Sequence, residues 1–433
     1  MQRRGHLRTA LAQAGFRHLL ATRLTGQFGD GAFQAALAGA VLFNPERQAD
    51  PATIAAGFAV LLLPYSVLGP FAGVLLDRWW RQRVLVRANL ARALVVALVA
   101  AEIAHGTAGA VFYLSALAAM SLSRFVNSAL SAALPHVVGP DELVTANALS
   151  TTAGSVLTAT GGACVVAVRL VIGGSDTTDG LLAVVALAAY LGAGTLARWF
   201  PRTVLGPDEA ERAGRESLAA IARGLVAGAR HLRGRPAALY GVAAIGAHRL
   251  CFGLWTVTTL LLYRNYFTSD GPLRVGLAGL TQVVGALALG GGIAALVTPP
   301  VVRRVGYAVW PATMLLSCAG VMVACNLPYR LGPALAGALA LAFASQSLKI
   351  CVDTLVQVHV ADEFRGRVFA LYDMLFNLAL VVAAVLTAAV LPADGHSPAT
   401  VIGVAAGYLV VGAAYGRLAS RVRSPPSAVP TTA

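Results

Sequence analysis

The chain has 433 residues, 57% of them hydrophobic and 12% charged, with a mean hydropathy of +0.71 and a formal net charge of +14. So little polar surface excludes a soluble globule and predicts a polytopic membrane protein. The positive charge does not point to nucleic acid, because the arginines are dispersed in short clusters between apolar segments and not gathered in one domain.

A membrane helix needs about 20 predominantly apolar residues. Reading for that length gives twelve spans, at about 17–43, 52–76, 84–104, 107–134, 146–172, 180–200, 236–263, 273–298, 306–326, 331–358, 364–391 and 398–418. Ahead of the first span, Arg3, Arg4 and Arg8 look like the start of a signal peptide, but Arg17 and Arg23 interrupt the apolar run that follows, so no cleavable leader is expected. The second span runs from Gly69 and Gly73, on one helix face, into Asp77, Arg78, Arg81 and Arg83, a switch that marks a helix leaving the membrane. Turn residues fill the other connectors, as in Asn44-Pro45 and Gly139-Pro140-Asp141. The longest polar interval, 201–235, follows the sixth span and divides the chain into a six-helix bundle over 1–200 and another over 236–423. Within it, Glu209 to Arg230 is expected to lie along the membrane surface, and the tail 424–433 is expected to be disordered.

Orientation follows from arginine. The segments assigned to one side carry Arg3, Arg4, Arg8, Arg17, the Arg78–Arg83 group, the linker arginines, Arg303, Arg304, Arg365, Arg367, Arg417, Arg421 and Arg423, whereas loops on the other side carry only Arg47, Arg264, Arg274 and Arg330. Both termini are therefore expected in the cytoplasm of a cell-membrane protein. The five cysteines lie in apolar segments with no Cys-x-x-Cys pair, and no metal-ligand spacing occurs, so neither a disulfide framework nor a metal site is expected.

Ionisable groups inside a span cost on the order of 2.5–3.5 kcal/mol each, so each needs a partner, a cavity or a task. Asp30 falls near the middle of the first span and is the expected proton-carrying carboxylate, with Gln27 and Gln34 flanking it on the same face. Arg92, about a third of the way into the third span, is expected to snorkel to the interface. Arg124 and Asn127 share a face of the fourth span. In the second half the expected cavity residues are His248 and Arg249, Gln282, Lys349 and Asp353 at i, i+4, and Asp373 with Asn377. Lys349 is the only lysine, and lysine, unlike arginine, can lose its proton when buried.

Three patterns carry a family resemblance. Gly73, Asp77, Arg78, Arg81 and Arg83 are similar to the loop between helices two and three of the major facilitator superfamily, although Trp80 stands where that loop has its second glycine. The connector from His136 to Leu149 is echoed by His359 to Leu371, at equivalent positions of the two halves. Phe16 to Asp30 and Glu363 to Leu371 resemble the branch that holds macrolide and siderophore exporters. The resemblance implies twelve helices in two six-helix pseudo-repeats and alternating access between them. It implies that Arg124 partners Asp30, and that Gly73, Asp77, Arg78, Arg81, Arg365 and Arg367 gate the cytoplasmic side. The activity implied is proton-coupled efflux of a hydrophobic or amphipathic small molecule, by a monomer among membrane lipids, with a proton gradient and no cofactor. The antiporter signature is only faintly matched by Ala153 to Gly162, which lacks its Gly-Pro pair. Alternatives are a lipid or lysolipid translocase, an importer of the same fold, and a sensor without flux. No catalytic or nucleotide-binding motif suggests an enzyme or an ATP-driven pump.

Overall fold

The computed structural model describes residues 9, 11–42, 56–57, 60, 79–106, 109–139, 142–206, 218–268 and 272–421. Eleven α-helices account for nearly all of them: α1 Ala14–Leu42, α2 Arg81–Ala104, α3 Ala110–Ala133, α4 Leu143–Ile172, α5 Asp176–Arg198, α6 Leu218–Arg233, α7 Pro236–Leu261, α8 Gly276–Val321, α9 Leu331–His359, α10 Asp362–Val390 and α11 Pro398–Ser420. Among the described residues, nine helical stretches are long and apolar enough to cross a membrane. The predicted second span lies largely outside the described residues, and Gly73, Asp77 and Arg78 lie wholly outside them.

Local chemistry sets the ends of these helices. Ser175 caps α5 by accepting from the Thr178 amide at 3.2 Å, with Asp176 and Asp179 in the first turn to complement the helix dipole. Ser397 does the same for α11, followed by Pro398 at the first helical position. The predicted eighth and ninth spans are joined in α8, which turns at Gly306. Its φ of 84° and ψ of 166° suit glycine and strain any other residue, and Pro299 and Pro300 stand just before it.

The chain forms two compact units, Met1–Ala222 and Arg223–Ala433, and the division falls inside α6. In the second unit one continuous apolar core joins Val242, Ile245, Leu315, Leu341, Val352 and Tyr408. The remainder of α6 lies on the start of α10 in that unit, where the His231 ring stacks on Phe364 with centroids 4.4 Å apart and an interplanar angle of 11°.

The first unit has two apolar clusters. One gathers Phe16, Leu19, Leu85 and Leu130, and the other Phe33, Val96, Phe112 and Met120. Between them, in sequence along α1, α2 and α3, fall buried Arg23 and Asp30, Asn89 and Arg92, and Ser123. A polar layer thus interrupts the core.

Beside that layer α1 and α4 meet through glycine. A Cβ placed on Gly161 would run into the Phe28 carbonyl, and one on Gly31 into the Thr158 carbonyl. Close backbone approach of this kind is how small residues hold membrane helices together without a hydrophobic driving force. The glycines of Ala153 to Gly162 therefore have a packing role in this fold. Gly161→Val should force the two helices apart at an overpacking cost of about 1–3 kcal/mol, seen as a melting temperature several degrees lower in detergent; an unchanged melting temperature would contradict the contact.

Candidate functional site

Charge burial sets the site. Asp30 of α1 is 5% exposed and Arg92 of α2 is 1% exposed, and the two form an ion pair. The pair is braced from three sides. Asn89 accepts from the Arg92 guanidinium at 3.2 Å and donates to the Leu85 carbonyl at 2.7 Å, which fixes its amide. Tyr190 of α5 lies under the guanidinium at 3.7 Å, and its hydroxyl donates to Asp30 Oδ1 at 3.0 Å. Asn127 of α3 approaches Asp30 Oδ2 at 3.4 Å, a longer and weaker contact, and accepts from Gln27 at 3.3 Å.

This corrects two expectations. Arg92 does not snorkel: α2 begins at Arg81, three residues before the predicted span, which places Arg92 deeper, and its face of the helix turns toward Asp30. The partner of Asp30 is accordingly Arg92, whereas Arg124 stands across a cavity that Asp30 also lines.

That cavity has a volume of about 650 Å³. Arg23, Gln27, Asp30 and Gln34 of α1 form one wall, in a stripe at helical spacing. Arg124, Asn127, Ser128 and Ser131 of α3 form a second, and Thr151, Ser155 and Thr158 of α4 a third. Every described lining residue is polar or charged. The five hydroxyls donate to carbonyls four residues back in their own helices, at 2.8–3.1 Å. Their protons are used, so they offer the cavity acceptor lone pairs. Arg23 gives one bond to Ser131 at 2.8 Å and keeps a buried Nε without a partner, and Gln27 keeps an unpartnered Oε1. The walls therefore present donors and acceptors interleaved, suited to a solute with several hydroxyl, ether or amide groups.

The site residues expected in the second unit are more scattered. His248 is buried between the rings of Phe252 and Tyr408, at 5.7 and 5.6 Å, and neither of its ring nitrogens has a hydrogen bond. The Arg249 guanidinium stacks 3.8 Å over Phe376. Lys349 pairs with Asp353 at 2.6 Å along α9, with side chains 41% and 29% exposed, the simple intrahelical pair. Asn377 donates to the Asp373 carbonyl at 2.8 Å. Gln282 does not reach into the helix bundle: seven residues into α8, its amide accepts from the Arg274 backbone at 3.1 Å and donates to the Pro272 carbonyl at 3.0 Å, pinning the preceding loop.

Of the expected gating arginines, Arg81 is buried and donates to the Ala132 carbonyl at 3.1 Å and the Leu205 carbonyl at 3.4 Å, tying α3 to the segment after α5. Arg365 donates to the Gln357 carbonyl at 2.9 Å, closing the end of α9. The Arg367 stem lies against α6, where a Cβ on Gly228 would meet its Cβ at 3.0 Å.

A second buried pair has no sequence forecast. Arg169 near the end of α4 grips Asp179 of α5 through two bonds, at 2.6 and 3.1 Å, and also donates to the Gly39 carbonyl of α1 at 3.3 Å. It locks three helices beyond the cavity. Sequence reading named Gln27, Asp30, Gln34, Arg124 and Asn127 but missed Arg23, Ser128, Ser131, Thr151, Ser155 and Thr158, which three- and four-residue spacing could have found; Arg92, Tyr190, Arg169 and Asp179 carried no signal that named their partners.

Comparison with known proteins places these features in context. Residues 23–384 match the model of the Major Facilitator Superfamily. Uncharacterized MFS-type transporters of Mycobacterium tuberculosis and Mycobacterium bovis are each 40% identical over 407 residues, covering 91% of this chain and 89% of theirs. Among solved structures, a mutant of the nucleoside transporter NupG aligns with a TM-score of 0.70 at 14% identity, over 93% of this chain and 99% of that one. An auto-inhibited POT family peptide transporter aligns with a TM-score of 0.64 at 12% identity, over 95% and 98%. At these identities the likeness concerns the fold alone.

Removing one member of a buried pair leaves the other charge uncompensated, at a cost of about 3–5 kcal/mol. Arg92→Ala should thus lower thermal stability in detergent sharply, whereas the double variant Asp30→Asn/Arg92→Gln should recover much of the loss. Equal stability of Arg92→Ala and the unmodified protein would contradict the pair.

Proposed function

This chain belongs to the major facilitator superfamily, as a multi-pass membrane transporter and not an enzyme, and from that membership we propose that it exports a hydrogen-bonding amphipathic solute in exchange for protons bound at Asp30. The observation that carries this reading is the double engagement of one carboxylate. Asp30 lines the polar cavity and is at the same time held by Arg92 and Tyr190.

The coupling follows from lone pairs. Oδ1 is committed to Arg92 and Tyr190, while among the described residues Oδ2 has only the 3.4 Å approach of Asn127. A hydroxyl or amine of the solute donates to Oδ2 when the carboxyl is ionised. A proton on the same oxygen occupies the lone pair that donor needs. Solute and proton then compete, and competition at one site is what exchange in opposite directions requires. Arg92 stays near Asp30 through Tyr190 and Asn89 in either protonation state, so the layer is not dismantled at each cycle.

The solute class follows from the walls. Acceptor oxygens on α3 and α4 face amide and guanidinium donors on α1 and α3, within a volume in the usual range for small-molecule sites. A purely apolar solute would leave Arg23 Nε and Gln27 Oε1 desolvated and unpaired, at about 1–3 kcal/mol for each buried polar group. An amphipathic molecule with a hydroxyl- or amide-rich portion satisfies them. By the same inference the protein has twelve spans in two six-helix repeats in the cell membrane, with both termini cytoplasmic. It works as a monomer by alternating access, with the proton gradient in place of a cofactor.

Purified protein in weakly buffered proteoliposomes tests the reading. Addition of a transported solute should release protons, and Asp30→Asn should abolish that release while still binding solute. Asn127→Leu should weaken apparent affinity by about tenfold, the worth of one or two hydrogen bonds. Proton uptake on solute addition would indicate co-binding and overturn exchange.

A further inference from the structure

Outside the polar layer, the first unit carries a second convergence of charge. Arg83 and Arg87 of α2, Arg198 at the end of α5 and Arg202 just after it line one cavity of about 410 Å³. Among the described residues no carboxylate lines it. Among the described residues none of the four guanidiniums has an ion pair or hydrogen bond, whereas Arg23, Arg81, Arg92 and Arg169 of the same unit are each engaged. α2 and α5 are held side by side here by the Gln82 amide, which donates to the Ala197 carbonyl at 3.4 Å.

All four arginines are exposed, and the start of α2 adds to the positive charge. Its first turn contains Arg81 and Arg83 and no acid, and its cap, Trp80, supplies no side-chain acceptor. Cations at the positive end of a helix are unfavourable unless an anion is supplied.

Arg83 and Arg87 also border a second chamber of about 560 Å³, whose other walls are apolar: Trp79, Trp80, Val84, Leu122 and Phe125 among them. On α2 the two arginines continue, at three- and four-residue steps, the exposed stripe Leu90, Leu94 and Leu98. That stripe is the face a membrane helix turns to lipid. Trp79, which lines the second chamber, and Trp199, which follows Arg198, are 52% and 66% exposed, and exposed tryptophans of membrane proteins favour the interface.

We propose that these two adjoining chambers bind an anionic glycerophospholipid, its phosphate among Arg83, Arg87, Arg198 and Arg202 and one acyl chain along the apolar chamber beside Trp79. A free phosphate would satisfy the charge but not the apolar chamber, and a zwitterionic lipid would bring a cation among four arginines where no described lining residue is acidic. Binding to α2 and the end of α5 together would brace the two helices that supply Arg92 and Tyr190.

The test is native mass spectrometry of the full chain in detergent with added phosphatidylglycerol, phosphatidylcholine or inorganic phosphate. Phosphatidylglycerol should remain bound preferentially, and Arg87→Gln/Arg202→Gln should weaken its retention by about tenfold or more. Equal retention of both lipids, or retention unchanged in the variant, would overturn the proposal, as would displacement of the lipid by inorganic phosphate. Because the variant removes topology-setting arginines, the unmodified protein supplies a second readout. Lipid brominated on the acyl chain should quench tryptophan fluorescence more strongly as phosphatidylglycerol than as phosphatidylcholine, an excess lost in Trp79→Phe; equal quenching by the two would contradict the site.

Discussion

A carboxylate and a guanidinium buried against each other organise the first unit. Neither Asp30 nor Arg92 is tolerable alone at such depth, because the desolvation of an unpaired charge costs several kcal/mol. Together they remain costly unless their other polar atoms are satisfied. Asn89, Tyr190 and Asn127 are the groups that do this, and they arrive from three helices. The requirement explains why the apolar core of this unit is split into two clusters, with a polar layer between them that opens on a cavity. It also explains why α1 and α4 approach through glycines, since the polar face of α1 must be brought close to the hydroxyl stripe of α4.

Much of this is legible in the amino-acid sequence. Hydropathy placed helices over most of the predicted spans, and Asp30, Gln27, Gln34, Arg124 and Asn127 meet around one cavity as helical spacing implies. What sequence reasoning lost was the third dimension. Three residues at the start of α2 moved Arg92 from the interface to the core, and nothing along α2 says that its partner is 62 residues away. Tyr190, 160 residues from Asp30, is an ordinary aromatic in an apolar segment until α5 is packed against α1. Gln282 shows the opposite error. A polar residue in a span was read as a cavity residue, but near a helix end its amide finds the backbone of the loop first. Lys349, singled out by composition, sits in a short-range pair that its neighbour four residues on suffices to explain.

The polarity of the cavity matters most for function. A chain this apolar invites the assumption of an apolar substrate, yet its apolar side chains are spent on the core and on exposed faces such as Leu90, Leu94 and Leu98. The described residues that line the cavity are those that hydrogen-bond. Specificity of such a site lies in the matching of donors and acceptors, because a buried polar group left unmatched is penalised more than a matched one is rewarded. The proposed proton exchange would need nothing added to this cavity, since the carboxylate offered to the solute would also be the group that takes the proton.

The most direct measurement is infrared difference spectroscopy of the protein on adding and removing a transported solute, with and without Asp30→Asn. Exchange at Asp30 requires the carbonyl band of a protonated carboxyl to disappear as solute binds, and that change to be missing in the variant. A band that persists through solute binding, or a change identical in Asp30→Asn, would show that the proton is carried elsewhere and that the Asp30–Arg92 pair is only structural.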